Sequence, residues 1–434
     1  MRISREQLNR ASSYAVFASA AAILISISAS QILLGIALAA LLASSTKLRL
    51  PRIWLPLLLF LAGTLLSLAL SPSPWHGLPQ VKKMFVLSTL LVVFSALREI
   101  KTLRRLFLTW SAIAVAVACF GLVRFAFLVD QARAEHRPLY EFYLLHRFTG
   151  FMSHPMTFGG QEMVVVLVLI AFLLFAPGLR TGALWTGAGC VALMGGALLI
   201  NGTRTIWLGV AVGGIWLLWR WKRWLAVSVP VALVLLVWLP PGPIHDRFVS
   251  IFQPRRDIDS NEFRLICFRT GVRMIEAHPW FGIGLDETKY HFLDYLPPDT
   301  RQPRPPGFYQ HLHNVYLQYA AERGIPTLAM MLWLLLTILL DFSGAIRRLP
   351  PGRSNERFLL HAGIASVAGI MVSGLFEVNL GDTEVLTVFL VVVAAGYVAA
   401  APASAPAIRR AAGAHSAAAS MPGGLPPPAA GCRN

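Results

Sequence analysis

Three short clusters hold the side chains best suited to chemistry. The first is Asn261-Glu262-Phe263-Arg264, followed by Arg269 and Arg273 on a helix expected from about Glu262 to Ala277 and ended by Pro279. The second is His278-Pro279-Trp280-Phe281-Gly282-Ile283-Gly284, and the third is His311-Leu312-His313-Asn314. Guanidinium groups grip phosphate through paired hydrogen bonds. A neutral imidazole can take a proton from a hydroxyl near neutral pH, and an adjacent amide can orient it or bind a substrate hydroxyl. Arg264, His313 and Asn314 therefore suit a reaction with an anionic leaving group and a hydroxyl acceptor. Arg264 falls on a different helical face from the Arg269/Arg273 pair, and His313, Tyr316, Leu317, Ala320 and Gly324 recur at spacings that share one face. The competing reading of His313 is a histidine that only hydrogen-bonds at an interface.

Two further arginines stand at boundaries. Arg147 lies in a polar loop, and Arg204 follows Asn201-Gly202-Thr203 at the start of an apolar helix, where a charge must snorkel or bind something. His311 and His313 form an H-x-H pair without a third ligand at clear spacing. Asp257-Ile258-Asp259 has the D-x-D form that can hold a divalent ion, but it follows Arg255-Arg256 and also reads as a charge-balanced loop. No metal and no cofactor is expected: there is no P-loop and no dinucleotide-binding glycine pattern.

What positions these clusters is a membrane scaffold. The chain has 434 residues, 56% hydrophobic and only 14% charged, which is more apolar surface than one soluble core can hide. Runs long enough to span fall near 11–28, 30–45, 53–70, 81–97, 106–129, 157–176, 182–200, 205–219, 224–239, 324–342, 357–378 and 382–401, about twelve in all. The first could alternatively be a secretory signal, but the pattern continues straight into a second span. The expected fold is an all-α polytopic membrane protein with spans one to nine in 1–239, a polar helical loop in 240–323, spans ten to twelve in 324–401, and an Ala/Pro/Gly-rich disordered tail in 402–434. Four scattered cysteines give no disulfide framework.

Lys and Arg crowd alternate loops, which places both termini in the cytoplasm and the long polar stretch on the opposite side. That stretch is itself rich in arginine, so its partner should be anionic. Part of this excess would also suit lipid headgroups, and nucleic acid is disfavoured because the aromatic residues belong to the spans.

The succession Asn201-Gly202-Thr203-Arg204, Glu262-Phe263-Arg264, His278-Pro279-Trp280-Phe281-Gly282-Ile283-Gly284 and His313-Asn314 with Gly324 and Thr327 resembles the O-antigen ligase and O-antigen polymerase-like membrane glycosyltransferases. The resemblance implies a bacterial inner-membrane enzyme of C-type glycosyltransferase architecture with a large periplasmic loop. It maps Arg204 and Arg264 onto the family's arginines and His313 onto its histidine, with Asn314, Arg147, Arg269, Arg273, His311 and Tyr316 as candidate substrate-binding residues. The ligase branch moves a polysaccharide from undecaprenyl diphosphate to lipid A–core. Polymerases and protein glycosyltransferases use the same donor, and a lipid-linked glycan transporter would share the basic cavity but should show broken-helix symmetry, which is not seen.

Overall fold

The computed structural model describes residues 4–44, 47–235, 242–255, 258–259, 261–350, 352 and 354–401. The expected disordered tail at 402–434 and Asp257 lie outside them. Among the described residues every regular element is helical. In chain order these are α1 (Arg5–Ala22), α2 (Ile27–Ala43), α3 (Trp54–Leu70), α4 (Pro74–Lys83), α5 (Ser88–Ala96), α6 (Ile100–Ala134), α7 (Leu139–Leu145), α8 (Pro155–Phe175) and α9 (Thr181–Asn201). There follow α10 (Arg204–Trp221), α11 (Ser228–Leu235), α12 (Pro243–Val249), α13 (Asn261–Ala277), α14 (Thr288–His291), α15 (Val315–Arg348), α16 (Ser354–Ser373) and α17 (Thr383–Ala400).

Among the described residues six helical stretches are long and apolar enough to cross a membrane: Pro74–Ala96, α6, α8, α9, α15 and α17. The other expected spans coincide with α1, α2, α3, α10, α11 and α16, which are shorter or more polar. The protein is thus an all-helical polytopic membrane protein.

Its centre is α8 and α17, apolar on every side and buried along most of their length, as expected of a helix surrounded by other helices rather than facing solvent or lipid. Beside α8, α10 and α16 cross at Gly209 and Gly369, so closely that a Cβ on Gly209 would come within 2.9 Å of the Gly369 carbonyl oxygen. Small residues at such crossings let backbones approach where lipid-like surroundings offer no hydrophobic drive.

The polar segment builds a second, smaller core from Phe263, Ile266, Cys267, Met274, Ile283, Phe292, Leu312 and Ala321, which seats α13 on α15. Here the glycine motif finds its purpose. Gly324 (φ 81°, ψ 160°) breaks α15. The amides of Ile283 and Gly284 donate to the carbonyls of Ala321 and Glu322 (2.8 and 3.1 Å), while Ile325 donates to Pro279 (2.8 Å). Ser67 of α3 donates to the same Glu322 carbonyl at 2.6 Å. The stretch from His278 to Gly284 is therefore a backbone clamp on the kink of α15, with Trp280 left 69% exposed.

Two expectations shift. The helix placed after Gly324 begins at Val315, and His313 precedes its N-cap Asn314 with a left-handed backbone (φ 50°), so it does not share a helical face with Tyr316 and Ala320. Periodicity extended the helix backwards because spacing alone carries no record of the cap.

At Gly282 (φ 71°) a Cβ would lie 2.2 Å from the Glu322 backbone carbon, with no flexible side chain to yield. Gly282→Ala should therefore cost more than about 1 kcal/mol. A clear drop in the melting temperature of the detergent-purified protein checks this, and an unchanged melting curve would refute the clamp.

Candidate functional site

The site begins on α13. Its first turn, packed through Phe263, points Arg264 away from Arg269 and Arg273, in keeping with the spacing. The Arg264 guanidinium donates to the Phe376 carbonyl and to the Glu377 carboxylate, while its Nε is buried without a partner. Glu377 lies in the turn between α16 and α17 and is only 4% exposed.

His313 faces the other side of this carboxylate. Its Nδ1 stands 3.7 Å from Glu377 Oε2 and makes no hydrogen bond, and its Nε2 lies 3.1 Å from the Phe308 carbonyl oxygen. Phe263 packs edge-on against the imidazole at 4.8 Å and His311 at 4.0 Å between ring centres. Arg264, Glu377 and His313 thus form one chain, its arginine half-buried and its carboxylate and imidazole buried, drawn from α13, the α16–α17 turn and the approach to α15. Burial on its own would raise the Glu377 carboxyl. The Arg264 charge first, and then the neighbouring His313 imidazole, outweigh it and hold the group down at about 2.

A second cluster surrounds the turn between α9 and α10. Asn201 is fully buried and donates to the carbonyls of Phe148 (2.7 Å) and Pro155 (2.8 Å), while accepting from the Thr203 hydroxyl (2.6 Å). Arg147 donates to the Asn201 carbonyl (2.8 Å) and to the Thr203 hydroxyl. Arg204 reaches the carbonyl and hydroxyl of Ser250 (2.9 and 3.0 Å) and Asn261 Oδ1 (2.6 Å), so it ties α10 to α12 and α13. Arg247 on α12 donates to the Gly202 carbonyl (3.0 Å) and pairs with Asp259 (3.1 Å).

The two clusters feel one another. Burial and then the Arg247 charge hold Arg147 down at about 10, with Glu377 and Arg264 also within electrostatic range. His154, at the start of α8, is lowered first by burial and then by Arg147. Four guanidinium groups (Arg147, Arg204, Arg247 and Arg264) accordingly face two carboxylates (Asp259 and Glu377). Such an excess of fixed positive charge in a partly desolvated region draws anions.

The remaining candidates separate into two groups. His311 accepts from the His313 amide at 3.3 Å, and burial, then His313, keep it down at about 3 and so neutral. Asn314 is the N-cap of α15, accepting from Tyr316 and Leu317 (both 2.9 Å) and donating to the Leu375 carbonyl (2.9 Å). Tyr316 donates to the Met371 carbonyl at 2.6 Å. These three border the chain. Arg269 is exposed and forms a paired bridge to Asp299 (2.9 and 2.7 Å), and Arg273 is exposed on the same side, so neither joins it. Asp259 is taken up by Arg247, by the Tyr140 hydroxyl (2.7 Å) and by the Arg255 amide (2.8 Å).

Sequence reasoning passed over Glu377 because it sits in what reads as the end of an apolar run, Leu375-Phe376-Glu377-Val378. A carboxylate there was the available signal, since a charge near a span end is expensive unless paired.

Fold and site define a multi-pass membrane protein that presents a cationic cluster and a histidine at one end of its helices. Residues 189–332, from α9 into α15, match the model of the O-antigen ligase family. The match takes in Arg204, Arg264 and His313 and stops before Glu377. No curated protein matches the chain.

A depressed carboxyl contributes stability above its unfolded pKa that is lost as pH falls through its folded one. The Glu377 contribution should therefore be constant near neutrality and decline between the ordinary carboxyl value of 4.5 and about 2. Melting temperatures across that range should fall more steeply for the wild type than for Glu377→Gln. Parallel curves would contradict the pairing.

Proposed function

We propose that the protein is an O-antigen ligase, transferring a polysaccharide from undecaprenyl diphosphate to a hydroxyl of lipid A–core at the periplasmic face of a bacterial inner membrane. The observation that carries this reading is the chain from Arg264 through Glu377 to His313, whose arginine and histidine lie in the region that matches the O-antigen ligase family and which stands beside three more arginines. A lipid diphosphate is a competent leaving group if its developing charge is stabilised, and the acceptor needs only a base.

Arg264 and Arg204 would hold the diphosphate, with Arg147 and Arg247 supplying further positive charge. At rest Glu377 occupies the Arg264 guanidinium. An incoming diphosphate competes for that guanidinium and loosens the carboxylate that screens His313 Nδ1. The acceptor hydroxyl then delivers its proton to Nδ1, the ring nitrogen without a hydrogen bond. The resulting imidazolium has an acceptor for each N–H, the Phe308 carbonyl at Nε2 and the Glu377 carboxylate at Nδ1. The oxygen so activated attacks the anomeric carbon, the bond to the diphosphate oxygen breaks, and the centre inverts. Glu377, held near a pKa of about 2, is too weak a base to replace the histidine and serves to position it and balance its charge. Arginines offset the diphosphate charge that a divalent ion would otherwise offset, so the proposed reaction is metal-independent.

The deciding experiment incubates the purified protein with lipid-linked O-antigen and lipid A–core and follows the banding of modified core on a gel. Glycan lengthening without core modification would indicate a polymerase, and modification of an added protein acceptor a protein glycosyltransferase. His313→Ala should keep donor affinity and lose about a hundredfold to ten-thousandfold in turnover. Arg264→Lys should weaken donor binding despite the retained charge, because an ammonium cannot reproduce the paired bonds. Normal turnover in folded His313→Ala would overturn the assignment. Activity should also survive EDTA, and loss restored by magnesium or manganese would show a metal requirement.

A further inference from the structure

A groove away from this site is bounded by α3, the stretch from α4 into α5, α15 and α17. It is a partly open groove with a cavity volume of about 100 Å³, and its walls are mainly apolar, among them Leu57, Leu87, Leu334, Leu386 and Val393. Arg323 lines it. This residue is only 8% exposed, and its Nε and Nη1 atoms are buried without a hydrogen-bond partner. Its guanidinium lies over the rings of Tyr319 (3.8 Å) and Phe60 (5.5 Å), which fix its position from two helices.

Among the described residues no acid forms an ion pair with it, although Glu322 is close enough to feel its charge. Glu322 turns its carboxylate to Gln318 (2.7 Å) and Thr288 (3.2 Å). Asp286 takes Lys289 (2.6 Å) and Gln80 (3.4 Å). Lys83, also on the groove wall, is close enough to Glu384 to feel its charge. Aromatic faces offset only part of the desolvation of a buried cation, which is why such groups are ordinarily found paired. Arg323 is thus a held cation without a bound anion, set in a long apolar groove.

We infer that this groove binds a membrane lipid with a phosphate-bearing headgroup, the phosphate on Arg323 and the chains along the apolar walls. The match is one of charge and shape: a guanidinium presents paired donors to phosphate, and the groove offers hydrocarbon rather than polar contacts. The inference is independent of the glycan reaction. The groove wall includes Leu380 and Gly381, in the turn that also carries Glu377, so an occupant would lie close behind the candidate site.

Native mass spectrometry of the detergent-purified full-length protein, titrated with phosphatidylglycerol and with diacylglycerol of the same chains, tests this. The wild type should retain phosphatidylglycerol about tenfold or more tightly than diacylglycerol, and excess inorganic phosphate should not displace it. Arg323→Gln should lose that preference, Leu386→Trp should fill the groove and weaken binding, and Arg264→Gln should bind as the wild type does. Equal retention of the two lipids, displacement by inorganic phosphate alone, unchanged binding in Arg323→Gln, or loss in Arg264→Gln would each overturn the inference. Should Arg323→Gln not fold, the wild-type comparison and Leu386→Trp still decide it.

Discussion

The carboxylate of Glu377 is the constraint on which the site depends. It is buried between a guanidinium and an imidazole that come from segments far apart in sequence, and neither of the two is well placed without it. Without Glu377, Arg264 would keep only the Phe376 carbonyl and His313 only the Phe308 carbonyl. Removing one member of a buried ion pair typically costs about 3–5 kcal/mol because the other is left uncompensated. In the proposed reaction a diphosphate would replace the carboxylate at the guanidinium, so that the cation is not left bare.

The scaffold follows from the same demand. The turn carrying Glu377 is held by α16 and α17, and α17 is buried in the apolar centre with α8. Arg264 is held by the small core that seats α13 on α15, and His313 by the N-cap and the packing of Phe263. The backbone clamp from His278 to Gly284 fixes the kink of α15 and the α3 contact at Ser67. Loops can carry the functional side chains because each is anchored within a few residues to a rigid helix.

Much of this was legible in the residues. Apolar runs marked the helical segments, and the α13 boundaries followed from Pro279 and the spacing of its side chains. Arg264 separated from Arg269 and Arg273 as the helical period required. The glycine motif was visible but not its use, because a clamp on another helix's backbone leaves no local signature. His313 was picked out by its residue type, yet its left-handed position before the cap was hidden, since periodicity does not register a backbone turn. Glu377 stayed hidden for a different reason: its partners lie more than a hundred residues away in the chain, and only the packing of α16 and α17 brings them together.

Arg264 and His313 are proposed to work as one unit through Glu377, and a double-mutant cycle on the transfer rate is the direct test. Turnover would be measured for Arg264→Gln, His313→Gln and the combined variant, all in folded detergent-stable protein. If the residues form one unit, the double variant should be about as slow as the slower single variant, the non-additivity expected of coupled groups. Losses that simply multiply would show two independent residues and contradict the account.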